Sequence, residues 1–104
     1  MNDSRMISIS RNDASGRYDM TVDGEDAGFV TFEQSNTHIA FTHTELHDAF
    51  QGQGVGSHLA AEALADAASR DLTIIPLCPY MARYLERHPI KGARIEWPNR
   101  APRS

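Results

Sequence analysis

The sequence predicts one α/β domain of the α+β kind, in which a mixed, largely antiparallel sheet comes first and two helices follow, in the order ββββ-α-β-α. Apolar and polar residues alternate through the first half of the chain between short turn signals, as they do in strands joined by hairpins. After residue 54 the apolar residues recur every three or four positions, which is the period of a helix. Since 104 residues suffice for one core, we expect a single domain over residues 1–104, with a polar tail from about residue 92.

Four strands are expected before the change of period. They span Met6–Ser10, Arg17–Val22, about Ala27 to Glu33, and His38–Leu46. The Asp23-Gly24 pair between the second and third strands is a strong hairpin signal. Because side chains alternate along a strand, the fourth strand is expected to place two sets of residues on opposite faces. One set is Ile39, Phe41, His43 and Glu45, and the other is Thr42, Thr44 and Leu46.

The second half is expected to contain a helix, a strand and a second helix. The first helix runs from Val55 to about Ser69, with an apolar stripe facing the core and with Glu62, Asp66 and Arg70 pointing outward. The apolar run Leu72–Leu77 predicts a buried strand. The second helix covers Tyr80–Arg87, with Pro79 in its first turn and His88-Pro89 at its end. A helix between two strands predicts parallel pairing, and the tail either adds a short edge strand or trails off.

Composition narrows the class of protein. The formal net charge of -4 argues against a nucleic-acid binder, and no apolar run is long enough to cross a membrane. The first residues lack the apolar segment of a signal peptide, and the single cysteine, Cys78, fits a reducing compartment, so we expect a cytoplasmic protein. The five histidines show no spacing typical of zinc ligands, so no metal site is expected. The sequence leaves the oligomeric state open.

A run of glycines opens the first helix, in the stretch Gln51-Gly52-Gln53-Gly54-Val55-Gly56. Free amides at the start of a helix bind anions, and missing side chains let a phosphate approach the backbone closely. A tight strand-to-helix turn is the competing interpretation. A Walker A loop is excluded because no Lys-Ser/Thr follows the last glycine, and the spacing and the preceding meander argue against a dinucleotide fold.

The pattern Gln51-x-x-Gly54-x-Gly56 resembles the acyl-CoA pyrophosphate loop of the GNAT N-acetyltransferase superfamily. Two further stretches, Thr42-His43-Thr44-Glu45 and Ile75-Pro76-Leu77-Cys78-Pro79-Tyr80, resemble the minimal GNAT-like acetyltransferases that carry a cysteine near the acetyl group. Tyr84-Leu85-Glu86-Arg87-His88-Pro89 extends the likeness, which covers the chain up to about Ile90.

The resemblance implies a GNAT-like sheet and the use of acetyl-CoA as co-substrate. Backbone amides of the glycine stretch would hold the CoA pyrophosphate: Gln51, Gly52, Gln53, Gly54, Val55, Gly56 and Ser57. The strand backbone near Leu46 would hydrogen-bond the pantetheine and polarise the thioester carbonyl. Acetyl-CoA would then lie between the strand that ends at Leu46 and the strand that ends at Leu77.

Cys78 follows the last predicted strand and precedes Pro79, at a helix start where the dipole favours a thiolate. A buried structural cysteine is the competing interpretation. Two mechanisms are open: Cys78 takes the acetyl group and passes it to an amine, or the amine attacks acetyl-CoA directly while Cys78 protonates the departing CoA thiolate. The superfamily's usual tyrosine acid falls on Leu85 here, not on Tyr84, which shifts the expectation towards Cys78 and the covalent route.

His43 is the candidate base, since an imidazole suits proton transfer near neutral pH. We expect it to meet Cys78 if their strands are neighbours, and a solvated histidine is the alternative. Glu45 shares its predicted face and would orient His43 or meet a cationic amine.

Three functions are weighed. The leading one is an acetyl-CoA-dependent N-acetyltransferase acting on an amine, which is a small molecule or a protein. The second is a non-catalytic CoA-binding or acyl-CoA-sensing module, and the third is a protein-interaction module that binds no CoA. No motif specifies the acceptor.

Overall fold

Strands fill the first half of the chain and helices dominate the second, as the change of period predicts. The computed structural model describes residues 6–52 and 54–98. Its elements are β1 (Ile7–Asn12), β2 (Arg17–Val22), β3 (Glu25–Gln34), β4 (His38–Leu46), a 3-10 turn (Asp48–Phe50), α1 (Val55–Ser69), β5 (Thr73–Pro76) and α2 (Pro79–Arg87). The predicted order and mixed sheet are confirmed. The predictions made for residues 1–5, for Gln53 and for residues 99–104 lie outside the described residues.

The sheet follows chain order, β1-β2-β3-β4-β5, with the first four strands antiparallel and β5 parallel to β4. The parallel pairing is short. It runs from His38 opposite Thr73 to Phe41 opposite Pro76, where β5 ends. In the described part of the chain, the rest of β4 therefore has no partner strand on that side.

A β-bulge interrupts β4 at Thr42. Thr31 of β3 pairs with His43, while the next residue, Phe32, pairs with Phe41, so Thr42 is the extra residue. An extra residue shifts the alternation of a strand by one position, which moves every later side chain to the other face.

The expected grouping of β4 side chains is therefore wrong. Before the bulge, Ile39 and Phe41 are buried on the core face. After it, His43 and Glu45 are exposed on the outer face, whereas Thr44 lies opposite Val30 on the core side. The sequence alternation missed this because nothing in it marks the bulge.

Helix α1 covers the core face of the sheet. Its buried residues are Val55, Gly56, Leu59, Ala60, Ala63, Leu64 and Ala67. They pack against aromatic and aliphatic side chains of the sheet, among them Met20, Val30, Ile39 and Phe41, all 0% exposed. The small alanine side chains let the helix approach the strands closely, and Met81 and Leu85 of α2 complete the core.

A polar network ties the far side of α1 to the sheet. The Tyr18 hydroxyl donates a hydrogen bond to Asp66 Oδ2 at 2.5 Å and accepts one from Arg11 Nη1 at 3.0 Å. Arg70 Nε donates to the same carboxylate at 2.8 Å. Asp66 is therefore not outward-facing as expected, because its carboxylate reaches the Tyr18 hydroxyl. Burial raises the pKa of Tyr18 to about 12, and the hydrogen bond to Asp66 contributes.

The tail extends the outer edge of β5. Ile95 forms an isolated parallel bridge with Ile74, whose N–H donates to Arg94 O at 2.9 Å and whose carbonyl accepts from Glu96 N–H at 2.8 Å. The tail thus pairs with the edge of β5 at one residue, without forming the short edge strand that was one alternative within the described residues. Among the described residues, no helix combines the length and apolar composition that a membrane crossing needs.

Candidate active site

The sheet opens where β5 ends and β4 continues. The last backbone hydrogen bond across the gap joins Cys78 N–H to Phe41 O at 2.9 Å. Beyond it, residues 42–46 of β4 face the gap without a partner strand among the described residues. An unpaired strand edge offers backbone donors and acceptors to an extended ligand, which can add to it as another strand would.

The loop after β4 is held in a shape that requires glycine. The Gln51 side chain donates from Nε2 to Leu46 O at 3.0 Å and to Asp48 Oδ1 at 3.4 Å, which ties the loop to the end of the strand. Gly52 and Gly54 have φ of +76° and +80°, in the left-handed region that side chains disfavour. A Cβ added at either position meets nothing within 4 Å, so the space above both glycines is open.

The N-terminus of α1 presents its free amides to this open space. The N-cap is Gly54, which has no side chain to accept hydrogen bonds from the first amides, and no acidic residue lies in the first turn. Ser57 Oγ donates to Gly54 O at 2.9 Å, while Val55 is buried and offers only its backbone. The first N–H groups and the positive end of the dipole thus favour an anion here.

Gly56 brings the two helices close together. It is buried in the first turn of α1, where an added Cβ would overlap the Tyr80 hydroxyl and lie 3.3 Å from Leu46 Cδ2. Burial raises the pKa of the Tyr80 phenol, and the acidic groups of Cys78 and Tyr84 raise it further. The sequence predicted only a packing role for Tyr80, because no local signal marks its place over Gly56.

These parts form one cleft of about 490 Å³, named here the glycine cleft. It is lined by Thr44, Leu46, Gln51, Gly52, Gly54, Gly56, Ser57 and Tyr80. The structure thus brings the open end of β4 together with most of the predicted pyrophosphate loop. The role predicted for Gln53 remains a prediction, since this residue lies outside the described ranges.

Cys78 contacts Thr44, one of the residues that line the glycine cleft. It is the N-cap of α2, followed by Pro79 in the first turn as predicted. The residue is 5% exposed, and its Sγ lies 3.1 Å from Thr44 Oγ1, either atom being able to donate. Thr44 lines the cleft itself, so it connects the thiol to the open space. Thr44 was not among the predicted site residues, because only the register between β3 and β4 reveals the bulge that turns it towards Cys78.

His43 lies on the opposite face of the sheet from Cys78. Its Nε2 is 3.4 Å from Glu45 Oε1, its ring centroid is 6.3 Å from that of Phe29, and its side chain is 62% exposed. The expected contact between His43 and Cys78 is therefore wrong, because the bulge at Thr42 turns His43 outward. The expected pairing of His43 with Glu45 is present.

A second cleft of about 320 Å³ adjoins the first, and we name it the arginine cleft. It is lined by Ser57, Tyr80, Arg83, Tyr84, Arg87 and His88, so it shares Ser57 and Tyr80 with the glycine cleft. The Tyr84 and His88 ring centroids lie 4.4 Å apart, with the ring planes tilted by 31°. Among the described residues, no group of three or more His, Cys, Asp or Glu side chains is placed to hold a metal ion.

The sequence matches a known protein family over most of the elements that form the two clefts. A family model described as GCN5-related N-acetyl-transferase matches residues 17–94, from the first residue of β2 through all of α2. The chain therefore belongs to the GCN5-related N-acetyltransferase family, and the resemblance seen in the sequence is confirmed.

Curated relatives share the same name in several vertebrates. Protein NATD1 of Homo sapiens and that of Mus musculus are each 38% identical to the chain over 52 residues, and that of Xenopus tropicalis is 35% identical over 52 residues. The matches cover 50% of this chain and 46%, 47% and 48% of the three proteins in that order. The chain thus spans about half the length of the curated relatives it matches.

Proposed function

We propose that this chain is an N-acetyltransferase that takes its acetyl group from acetyl-CoA, with Cys78 at the reacting centre. One observation carries the proposal: the glycine cleft joins the open edge of β4 to the uncapped N-terminus of α1, and the Cys78–Thr44 pair borders it. On this proposal the pyrophosphate would meet the amides of α1, the pantetheine would meet the edge of β4, and the thioester would lie near the Cys78–Thr44 pair.

The co-substrate is proposed to bind mainly through the backbone. The amides from Gly54 to Ser57 would hold the pyrophosphate, whose approach the bare glycines permit. The pantetheine amides would pair with the free edge of β4, and the backbone at Leu46 would polarise the thioester carbonyl. The Gln51 bridge to Leu46 O supports this arrangement by holding the loop against the strand end.

In the covalent route, the Cys78 thiolate attacks the thioester carbonyl carbon while Thr44 donates a hydrogen bond to the sulfur. The bond from this carbon to the CoA sulfur breaks, and the CoA thiolate leaves and takes up a proton. A neutral amine then attacks the acetyl-cysteine and loses its extra proton to water, and the amide forms as the bond to the Cys78 sulfur breaks and releases the thiolate. In the direct route the amine attacks acetyl-CoA itself, the Cys78 thiol protonates the leaving CoA sulfur, and the proton that the amine loses restores the thiol through water.

His43 keeps a proposed role on the acceptor side. It projects from the outer face of the same strand segment whose core face bears Thr44 and Leu46. With Glu45 beside it, the imidazole would take the proton from an ammonium that approaches from that face. The acceptor is proposed to be an amine of a small molecule or of a protein.

A non-catalytic CoA-binding or acyl-CoA-sensing module is the second candidate. The burial of Cys78, which as a residue is 5% exposed, is the observation that favours it, since a nucleophile must reach its substrate. The two candidates share the glycine cleft and differ only in whether turnover occurs.

The test combines calorimetry with CoA, thiol release from acetyl-CoA over a panel of amines, and intact mass. We expect CoA binding, amine-dependent thiol release, and an acetyl mass increment that disappears in Cys78→Ala. Turnover without the increment would leave the direct route, and binding without turnover would leave the sensor. Absence of CoA binding would refute both candidates, and wild-type rates in Cys78→Ala would remove Cys78 from the chemistry.

A further inference from the structure

Two arginines of α2 line the arginine cleft beside the glycine cleft. Arg83 and Arg87 are four residues apart on the helix, so their side chains lie on one face, and both are exposed. Like charges at this spacing repel each other. Arg87 is compensated in part by the negative end of the helix dipole, but Arg83 lies in mid-helix, where that effect has faded.

Neither guanidinium has a charged partner within the described ranges 6–52 and 54–98. Every other arginine in those ranges forms an ion pair: Arg11 and Arg70 with Asp66, Arg17 with Asp19, and Arg94 with Asp71. In a chain with a formal net charge of -4, two unpaired arginines on the wall of one cleft are a local excess of positive charge. Such an excess favours an anionic ligand.

The position of Arg83 and Arg87 indicates which part of the ligand they would contact. The two clefts share Ser57 and Tyr80, so the arginine cleft lies next to the amides of α1 on which the pyrophosphate is proposed to bind. In CoA the group joined to the pyrophosphate is a ribose that carries a separate 3′-phosphate.

We infer that Arg83 and Arg87 bind the 3′-phosphate of CoA, so the protein distinguishes CoA from 3′-dephospho-CoA. The inference rests on the proposed function. Guanidinium groups suit this role because their planar donor sets match phosphate oxygens in bidentate hydrogen bonds. The arginine cleft then selects the co-substrate, while the glycine cleft holds the part that both molecules share.

The test measures the affinities of CoA and 3′-dephospho-CoA for the wild type, Arg83→Gln and Arg87→Gln. Hydrogen bonds to charged groups predict that the wild type binds CoA roughly 10-fold to 100-fold more tightly than the dephosphorylated form. Each substitution should weaken CoA binding by roughly 10-fold and leave 3′-dephospho-CoA unchanged. Glutamine keeps the helix propensity, so a thermal melt should confirm folding. Lys91→Gln, which removes an exposed charge outside both clefts, is the control for a long-range charge effect.

The possible outcomes separate the inference from the proposed function. If the wild type binds neither molecule, the proposed function fails and the inference fails with it. If the wild type binds both equally, CoA binding stands and the inference is overturned. If the arginine variants weaken both ligands by the same factor, the arginines contact the pyrophosphate, which also overturns it.

Discussion

Gly54→Ala separates the conformational role of the glycine loop from its proposed role in binding. Gly54 has φ of +80°, and placing alanine in this left-handed region costs about 1–2 kcal/mol. Alanine also lowers the conformational entropy of the unfolded chain, which offsets about 0.4–1 kcal/mol of this cost. The free energy of unfolding should therefore fall by about 1 kcal/mol. The new Cβ projects into open space, where the pyrophosphate is proposed to lie, so loss of charge-assisted hydrogen bonds should weaken CoA binding roughly 10-fold to 100-fold.

Gly24→Ala is the matched control for this prediction. Gly24 has φ of +83°, and a Cβ there also meets nothing within 4 Å, but it lies in the turn between β2 and β3, away from the glycine cleft. Urea unfolding should show similar losses of stability in both variants. Calorimetry with CoA should show weaker binding in Gly54→Ala alone. Equal CoA affinities in the two variants would refute the assignment of the pyrophosphate to this loop.

Two further predictions concern the packing of α1. Gly56→Ala should gain about 1 kcal/mol from helix propensity, but its Cβ displaces the Tyr80 hydroxyl. Urea unfolding should therefore show no increase in the free energy of unfolding for Gly56→Ala alone, and the full increase when Tyr80→Ala is also present. An increase in the single variant would show that the Tyr80 side chain moves aside at no cost. For Asp66, partial burial acts to raise the pKa, but hydrogen bonds from Tyr18 and Arg70 outweigh it and hold the pKa below 3.8. Its stabilising effect is thus present above that value and is lost as the pH falls through the folded-state pKa. Asp66→Asn should lower the free energy of unfolding at neutral pH and make it fall less steeply as the pH is lowered. If the pH dependence of the variant equals that of the wild type, the Asp66 carboxylate is not the source of the acid sensitivity.

Local chemistry accounts for most of the elements that the sequence predicted correctly. Helix α1 has the bounds that its apolar period predicted, Val55–Ser69. Asp23-Gly24 forms the expected turn, with both residues at positive φ. Cys78 is the N-cap of α2 because Pro79 fits the first turn of a helix and lacks the N–H that a strand would need. In each case the signal lies within a few residues, so no distant contact is needed to interpret it.

The candidate site was predictable only in part. The glycine run marked the helix N-terminus, and the cysteine marked the end of β5. Thr44, Tyr80 and the two arginines of α2 carried no signal of their own, since their importance comes from what lies across a gap from them.

The sequence by itself determined the order of the elements, the glycine-rich start of α1 and the place of Cys78 at a helix N-terminus, because these depend on local backbone preferences and hydrophobic period. Only the tertiary structure decided which side chain of β4 faces Cys78. The bulge at Thr42 arises from the register between β3 and β4, and this register is set by pairing across the sheet. One unpaired residue thus turned His43 outward and placed Thr44 beside the thiol.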